Sequence, residues 1–429
     1  MRVKASLRKD AFTRILFRGA KTVEGLFSLT RHIVDSAGGD DVVYDRLIRA
    51  GQEEAFMGYL TEEQELMLDS VKEFVESDLR PRVQTQLERD VFPFDVYEKM
   101  KELGLHNLTL PVEYGGAGEG MVTQVAVVKE LAKENLTMAL LGTSGVVASL
   151  LVRLGTDEQK SLFLPDLIQN PGGFAFTEPV AGSDISGIQT SAVKDGDEWV
   201  INGQKTFITG INQCDWFLIA ARTNETGAGG ISTFLVNKNM PGFKIGSIFR
   251  KLGIHASDTG ELFFEDLRVP AVNMIGHENK GMHSALGLLD EARLSVGAAA
   301  IGVAEAAMEK ASEYVKERVA FGKPLATKQG LQWYAAEMYT KISTANAFMY
   351  DVARKFDDGE SVTVEAAMLK LYGAKVAQEV TDLAINMCGG YGLMADFGVE
   401  RLYRDAKVCS IIEGTDEVMK MVISRAALS

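Results

Sequence analysis

The spacing of apolar residues changes twice along the chain and predicts three zones. From about residue 59 to residue 171 apolar residues recur with a helical period, and Thr61 with Gln64 three residues later forms a capping-box signal. Residues 172–275 carry short segments of period two, joined by turn residues, which predict antiparallel strands. The helical period returns over residues 276–429 in long segments. The pattern predicts an α+β fold, with an N-terminal helical domain, a central antiparallel β-barrel or sandwich and a C-terminal helical domain.

Local signals refine this outline. Asp195-Gly196 predicts a β-hairpin, and Asn202-Gly203 predicts a second tight turn seven residues later. An Ala- and Gly-rich stretch, residues 298–308, favours closely packed helices. Residues 135–152 are free of charge and near the length of a membrane span, but polar side chains interrupt them. They favour a helix pair or a bent helix inside a core over a membrane span.

The first 58 residues differ from the rest and form a predicted extension. Residues 1–34 hold eight Lys or Arg and two acids, with apolar residues spaced for a basic amphipathic helix, whereas acids dominate from residue 35. A transit peptide, a helix on a membrane or partner, and an accessory segment packed on the main body all fit this pattern. No compact apolar segment follows the basic start, so a secretory signal peptide is not expected.

Composition narrows the classes of function. The 429 residues are 46% hydrophobic and 24% charged, which excludes a disordered, collagen-like or disulfide-stapled protein. A net charge of −14 disfavours binding of nucleic acid or anionic membrane by the bulk surface. The widely spaced Cys214, Cys388 and Cys409 argue against a zinc site and fit a reducing compartment. The five histidines lack metal-ligand spacing, and P-loop and dinucleotide fingerprints are absent, so no metal is expected.

Glu413 is the candidate with the clearest local context. It precedes Gly414, which permits a sharp turn, and Thr415, a candidate N-cap for the last helix. A carboxylate held in an apolar cleft, here beside Ile411 and Ile412, has a raised pKa and is a better base. The residues alone equally allow a solvated loop glutamate, which is the commoner environment for this residue type.

Seven segments in register carry a family resemblance. They are FAFTEPVAGSD (174–184), NGQKTFITG (202–210), SDT with EDLRVP (257–270), ERVAFG (317–322), GGYG (389–392), RDAK (404–407) and IEGT (412–415). Their order and spacing resemble those of the acyl-CoA dehydrogenase family from about residue 60 to the C-terminus. The resemblance implies that family's fold, with a four-helix bundle as the C-terminal domain.

The resemblance also implies a reaction, the FAD-dependent α,β-dehydrogenation of an acyl-CoA thioester. Glu413 would remove the α proton, and the β hydride would go to flavin N5. The backbone N–H of Glu413 and a flavin ribityl hydroxyl would polarise the thioester oxygen. Some members carry the base just before an arginine of the long helix, but Ala292 precedes Arg293 here, so Glu291 is a weaker candidate. An electron-transfer flavoprotein would accept the electrons.

The resemblance assigns further residues to the cofactor and substrate. Thr177 and Thr209 would hydrogen-bond the isoalloxazine, and Phe207 would stack on it. The other predicted FAD residues are Phe174, Phe176, Gly182, Ser183, Ile208, Arg318, Phe321, Gln329, Asn386, Gly389, Gly390, Thr415 and Glu417. Six of these residues match positions that reach the cofactor of a neighbouring subunit: Arg318, Phe321, Gln329, Asn386, Gly389 and Gly390. This match implies a homotetramer. Predicted substrate residues are Ser183, Asp290, Arg293 and Gly414.

Departures from the family pattern leave the substrate open. Phe174 replaces a common Tyr, Ala320 a hydroxyl residue and Asn386 a Gln, while Ile412 replaces a frequent Tyr beside the base. A specialised dehydrogenase of dicarboxylic, aromatic or alicyclic CoA thioesters is therefore an alternative. A DNA-binding flavoprotein of the same fold is a further alternative, which the acidic surface disfavours. An oxidase is another, which the chain length disfavours. Membrane contact is expected only through the extension. A bacterial cytoplasm is favoured over a mitochondrial matrix, because the acidic half of the extension is unlike a transit peptide.

Overall fold

The computed structural model describes residues 58–83, 91–224 and 228–429, without the side chains of residues 228 and 282–288. The predicted basic amphipathic helix of residues 1–34 and the acidic segment after it lie outside these residues. Contacts within the chain divide it into two compact units, Met1–Leu66 and Met67–Ser429. The functional site described below lies wholly in the second unit.

Helices make up the N-terminal zone, as the apolar spacing predicts. The predicted capping box is confirmed, since Gln64 N–H donates to Thr61 Oγ1 (3.3 Å) and Thr61 N–H donates to Gln64 Oε1 (2.9 Å). The helices are α1 Glu62–Phe74, α2 Arg80–Val83, α3 Phe94–Glu102, α4 Met121–Glu134, α5 Val146–Leu154 and α6 Asp157–Leu167, with π-helical turns at Val75–Leu79 and Met138–Gly142.

The charge-free stretch of residues 135–152 is interrupted, as its polar side chains predict. It forms the π-helical turn Met138–Gly142 and then α5, with a break between them. Among the helices of the described chain, none combines the length and apolar character that a membrane span requires.

Eight strands form one sheet in the described part of the central zone. They are β1 Gly173–Ala175, β2 Ser191–Asp195, β3 Glu198–Thr209, β4 Trp216–Arg222, β5 Ile231–Asn237, β6 Phe243–Ile248, β7 Thr259–Pro270 and β8 Met274–Ile275. The order is β6-β7-β3-β2-β4-β5-β8, with β1 beside β4. Most pairs are antiparallel, and the pairs β1–β4 and β2–β4 are parallel.

The sheet confirms one predicted turn and corrects the other. Asp195 pairs with Glu198 across the predicted hairpin between β2 and β3. The turn predicted at Asn202-Gly203 is wrong, because β3 continues through it and pairs with β7 on both sides of an irregularity. Gly203 has φ +149° there, and a Cβ would lie 2.5 Å from Thr190 Oγ1. The glycine therefore marks a close approach within a strand.

The C-terminal zone is helical, which confirms the predicted three-part α+β arrangement. Its helices are α7 Gly281–Glu317, α8 Gln329–Asp357, α9 Thr363–Cys388, α10 Val399–Val408 and α11 Asp416–Leu428, with short strands β9 Val319–Ala320 and β10 Lys323–Pro324. Helix α7 packs against α9, α8 and the N-terminal α4. The predicted close packing is confirmed at Gly302, where a Cβ would lie 2.2 Å from the carbonyl oxygen of Lys129.

Contacts between the zones hold the N-terminal helices against the rest of the fold. Asp357, at the end of α8, accepts the N–H of Met121 (2.6 Å) and of Val122 (3.0 Å) at the start of α4. A buried core joins α5 and α6 to the sheet through residues such as Val147 and Leu218. Full burial of such side chains contributes about 1.5–3 kcal/mol each, so α5 is held firmly against the sheet.

Candidate active site

Glu413 lies in the short connection between α10 and α11, in an unusual backbone conformation. Its φ is +53°, and the next residue, Gly414, has φ +97°. A left-handed conformation costs a residue with a side chain roughly 1–2 kcal/mol. Thr415 follows as the predicted N-cap of α11, and its Oγ1 accepts the N–H of Val418 (3.4 Å). The surroundings must therefore hold Glu413 in place against local strain.

Glu413 contributes to the wall of a small cavity. The cavity measures about 360 Å³, including solvent at its mouth, and its other lining residues are Ser144, Val146, Val147, Gly172, Phe174, Leu289 and Ala292. They come from α5 and a residue two positions before its start, from β1 and the residue before it, and from α7. The apolar neighbours predicted from the local sequence contribute less, since Ile411 is 56% exposed. The walls of the cavity come from distant parts of the chain.

Glu413 is half-buried, and its surroundings shift the pKa of its carboxyl group. Removal from solvent raises the pKa of its carboxyl group above the ordinary value, and the positive charges of Arg293 and Lys370 act in the opposite direction. A carboxylate with a raised pKa binds a proton more strongly and abstracts one more readily. The predicted environment of Glu413, a partly apolar cleft, is therefore present, although different residues form it.

The long helix α7 supplies a buried charge beside Glu413. Arg293 is 4% exposed, and burial lowers the pKa of its guanidinium. Its Nη1 lies 3.4 Å from Asp290 Oδ1, while its Nε has no hydrogen-bond partner among the described residues. Asp290 Oδ2 in turn accepts the hydroxyl of Thr363 (2.7 Å). The two predicted substrate residues of α7 are thus joined to each other and to the start of α9.

Glu291, the weaker candidate for the base, has a different partner. Its Oε1 accepts from Arg153 Nη1 at 3.1 Å, and it does not line the cavity. Burial raises the pKa of its carboxyl group, and Arg153 counteracts this. Ala292 does line the cavity, so the position before Arg293 offers space and no acid–base group. The geometry favours Glu413 over Glu291.

Lys370 is a site residue that sequence reasoning missed. It lies on α9, its side chain has no solvent exposure, and its Nζ donates to the carbonyl of Gly414 at 2.6 Å. Asp416 Oδ1 lies 3.6 Å from the same nitrogen. Burial lowers the pKa of the Lys370 ammonium, and Asp416 opposes this shift. The available signal was a lysine within the apolar run of residues 366–371.

The predicted isoalloxazine residues lie on two neighbouring segments. The carbonyl of Thr177 accepts the N–H of Thr206 (2.9 Å), which places the first segment beside the end of β3. Phe207 has φ +58°, is 66% exposed, and its ring centroid lies 5.4 Å from that of Phe249. Thr209 is half-buried two residues on. An exposed aromatic ring offers a stacking surface to a flat ring system such as a flavin.

A buried ion pair ties these two segments together. Lys205 Nζ donates to Glu178 Oε1 (2.7 Å) and to the carbonyl of Phe176 (3.1 Å). Both charged side chains are almost fully buried. Burial lowers the pKa of Lys205 to about 8, while Glu178 acts against that shift. The pair fixes the backbone on which Thr177 and Phe207 stand.

Other residues predicted near the cofactor differ in accessibility. Phe176 and Ile208 are buried at 4% and 1% exposure, so they can reach a ligand only through their backbone. Phe174 stacks on Phe176, with ring centroids 4.0 Å apart, and faces the cavity of Glu413. Gly182 and Ser183 are exposed in the loop that follows.

The predicted adenine-diphosphate residues form a separate, exposed group. Phe321 is 94% exposed, and Arg318, Gln329, Asn386, Gly389 and Gly390 are also exposed. The rings of Tyr314 and Tyr391 lie 5.6 Å apart, which brings the end of α7 next to the segment after α9. None of these residues lines the cavity of Glu413. Of the last two predicted residues, Thr415 caps α11 and Glu417 is exposed in its first turn.

Comparisons with known proteins divide the chain into the same three zones. Family models described as the N-terminal, middle and C-terminal domains of acyl-CoA dehydrogenase match residues 61–171, 173–267 and 279–428. Acryloyl-CoA reductase (NADH) of Anaerotignum propionicum is 43% identical over 376 residues, covering 86% of this chain and 95% of the relative. The short-chain-specific acyl-CoA dehydrogenase of Clostridium acetobutylicum is 43% identical, covering 85% and 98%. The structure of butyryl-CoA dehydrogenase from Megasphaera elsdenii is similar with TM-score 0.84 and 37% identity, covering 86% and 99%.

Proposed function

This chain belongs to the acyl-CoA dehydrogenase family, and we propose that it interconverts a short-chain acyl-CoA and its 2-enoyl-CoA with FAD and with Glu413 as the base. Family membership makes it an oxidoreductase of acyl-CoA thioesters, and the family depends on FAD. The proposal adds the substrate class, the base and the cofactor residues of this chain.

The observation that carries the proposal is the carboxyl group of Glu413 in the cavity wall with its pKa raised by burial. The α C–H of a thioester is a weak acid, so its removal needs a positioned base and stabilisation of the developing enolate. In this proposal the carboxylate of Glu413 takes the α proton. The backbone N–H of Glu413 donates to the thioester oxygen, where negative charge develops.

The residues around the end of β3 fit the family's cofactor. The exposed ring of Phe207 offers a stacking surface, and Thr177 and Thr209 offer hydroxyl groups beside it. The Lys205–Glu178 ion pair joins the segment that carries Thr177 to the segment that carries Phe207. FAD, when bound, supplies the acceptor for the hydride that leaves the β carbon.

The cavity supports a short aliphatic acyl group. Among the described residues, the lining is apolar apart from Glu413 and the hydroxyl of Ser144, and none of its side chains is a cation that would pair with a second carboxylate. Burying an unpaired carboxylate there would be costly, which disfavours dicarboxylic substrates. The names of the relatives, short-chain acyl-CoA dehydrogenase and acryloyl-CoA reductase, favour a short chain over long, aromatic or alicyclic groups.

Reduction of a 2-enoyl-CoA is the second candidate function, favoured by the 43% identity to an acryloyl-CoA reductase. The same site serves both directions, because Glu413 would return the α proton that it removes in the forward reaction. The electron partner sets the direction. We propose an electron-transfer flavoprotein as that partner and a homotetramer as the assembly, in which exposed Arg318 and Phe321 reach the cofactor of a neighbouring subunit.

The central test replaces Glu413 by Gln, which removes the base and keeps the size of the side chain. The purified variant should retain FAD but lose at least roughly a hundredfold in the rate of anaerobic flavin reduction by butyryl-CoA. The substrates compared with butyryl-CoA are propionyl-, octanoyl-, glutaryl- and 3-phenylpropionyl-CoA. Wild-type protein should be reduced fastest by the two short straight chains.

Glu291→Gln is the matched control, because it removes the carboxylate of the residue before Ala292, which lines the cavity. This variant should keep the wild-type rate. Normal flavin reduction in Glu413→Gln, or its loss in Glu291→Gln instead, would sink the assignment of the base. Preferred reduction by glutaryl-CoA would overturn the substrate class. A wild-type protein that holds FAD and is reduced by no thioester would favour the DNA-binding alternative, which a DNA-binding assay then tests.

A further inference from the structure

We propose that Lys370 is a positioning residue for the base, and that its bond to Gly414 holds Glu413 at the cavity. This inference rests on the proposed function, because it presumes that Glu413 is the base. Lys370 is not among the residues that line the cavity. It acts through the connection between α10 and α11, on which Glu413 stands.

The contacts of Lys370 are those of a buried clamp. Its side chain has no solvent exposure, and its ammonium group donates to the carbonyl of Gly414 at 2.6 Å with Asp416 Oδ1 at 3.6 Å. A buried ammonium group without partners would be strongly unfavourable. Here its partners are the carbonyl directly after Glu413 and a carboxylate at the start of α11. The position of the lysine on α9 and the course of this connection are therefore coupled.

The backbone of this connection needs such a clamp. Glu413 and Gly414 are consecutive left-handed residues, with φ +53° and +97°. A conformation of this kind persists only where the surroundings determine it. Thr415 secures the C-terminal side through its N-cap bond to Val418. Lys370 secures the carbonyl between Glu413 and that cap, so without it the carboxylate would sample other positions.

The charge of Lys370 also acts on the acidity of the base. Among the described residues, Arg293 from α7, with Asp290 as its partner, and Lys370 from α9, with Asp416 as its neighbour, bring charge to Glu413. Cys409, after α10, is buried, and burial raises the pKa of its thiol to about 12, so it is neutral near pH 7. Burial raises the pKa of Glu413, and Arg293 and Lys370 lower it. Removal of the lysine charge should therefore raise that pKa further.

The test replaces Lys370 by Met, which has a similar shape but neither donor nor charge. The rate of anaerobic flavin reduction by saturating butyryl-CoA should fall roughly tenfold to a hundredfold, the range for a slightly misplaced catalytic group. The acid limb of its pH profile should move to higher pH, since the carboxylate form of Glu413 then appears later. The dissociation constant for butyryl-CoA should change little. Lys370→Gln should also lower the reduction rate and move the acid limb to higher pH. This variant replaces Lys370→Met in the test where the Met variant does not fold.

Lys129→Met is the control for the general effect of removing a buried lysine. Lys129 is 12% exposed and contacts Glu305 and Asn346, with Glu305 thirteen residues beyond Ala292 on α7. This variant should unfold at a lower temperature, yet keep the wild-type reduction rate and pH profile. A structural role of Lys370 alone would give the same result as this control.

A second readout follows the base without turnover. With enzyme reduced beforehand by dithionite, exchange of the α proton of butyryl-CoA in D₂O is followed by mass spectrometry. Exchange should be abolished in Glu413→Gln and slowed in Lys370→Met. Wild-type rate, profile and exchange in a folded Lys370 variant would overturn the positioning role alone. A wild-type enzyme without reduction or exchange would overturn the proposed function and, with it, the role of Lys370.

Discussion

Glu413 acquires its chemistry from side chains that are distant along the chain. Val147 and Ala292 lie 266 and 121 residues before it, yet both line the same cavity. Ile411, two residues before Glu413, is 56% exposed. The local sequence therefore predicts the turn and the helix cap around Glu413 but not the environment that raises the pKa of its carboxyl group.

His106 permits a prediction about stability and pH. It is 6% exposed, its Nδ1 lies 3.0 Å from the carbonyl of Gly142, and burial lowers its pKa to about 4. An unfolded histidine titrates near 6.5, so the unfolded state binds the proton more readily below that pH. Stability should fall as pH drops from 6.5 towards 4, with His106 contributing at most about 3 kcal/mol.

The measurement compares melting temperatures at pH 7.5 and pH 5 for wild type and His106→Gln. The variant should melt lower at pH 7.5, because a buried contact is lost, but should lose less on acidification. The exposed His277 offers a control, and His277→Gln should keep the wild-type pH dependence. Equal pH dependence in all three proteins would show that His106 does not titrate as described.

Prediction from sequence reached the proposed base and stopped short of its support. The local sequence predicts the turn at Gly414 and the cap at Thr415, and the family resemblance singled out Glu413. Lys370 is not recognisable from the sequence, because nothing near it shows that its ammonium group meets the carbonyl of Gly414, 44 residues later. The roles assigned to the FAD residues by resemblance remain predictions.

At the scale of elements, the successes and failures have one physical cause. The hairpin at Asp195-Gly196 is encoded by residues within the turn, and it forms as predicted. Asn202-Gly203 carries an equally strong turn signal, but β7 pairs with β3 on both sides of it. Long-range pairing overrides the local preference, and the glycine serves the close approach of Thr190 instead.

Asp357 allows a test of how one helix supports another. Its carboxylate accepts two N–H groups at the start of α4, a capping role filled from the end of α8. Asp357→Ala should leave these donors without that partner and cost about 1–2 kcal/mol, the range for loss of a helix cap. Thermal unfolding should show a melting temperature lower by a few degrees.

Asp358→Ala removes the same charge one residue further on and should leave the melting temperature close to that of wild type. Flavin reduction by butyryl-CoA per bound FAD should be unchanged in both variants, because the cap lies outside the cavity wall. If the Asp357 variant were as stable as the Asp358 variant, the inference that Asp357 caps α4 would be wrong.

At the scale of the whole molecule, the predicted cofactor residues fall into two groups. Thr177, Phe207 and Thr209 stand at the end of β3, whereas Arg318 and Phe321 are exposed beyond the end of α7. The second group has the exposure expected of residues that serve a neighbouring subunit. In the proposed homotetramer, retention of FAD depends on assembly.

Arg318→Ala should therefore weaken the retention of FAD, because a bidentate partner for the pyrophosphate is lost. The measurement is the ratio of flavin to protein absorbance after desalting, with the mass of the particle from sedimentation. Lys316→Ala removes an exposed cation from the same helix end and should retain FAD. A monomeric wild-type protein that keeps its FAD on dilution would contradict shared binding.

The wall of the cavity has a consequence for how such a protein can be recombined. Ser144 and Val147 belong to the N-terminal zone, Phe174 to the central one, and Leu289, Ala292 and Glu413 to the C-terminal one. A chimera that takes any one zone from a relative with another acyl preference inherits a mosaic pocket. Exchanging one zone therefore cannot transfer substrate preference between such proteins. A transfer requires exchanging the lining residues of all three zones together.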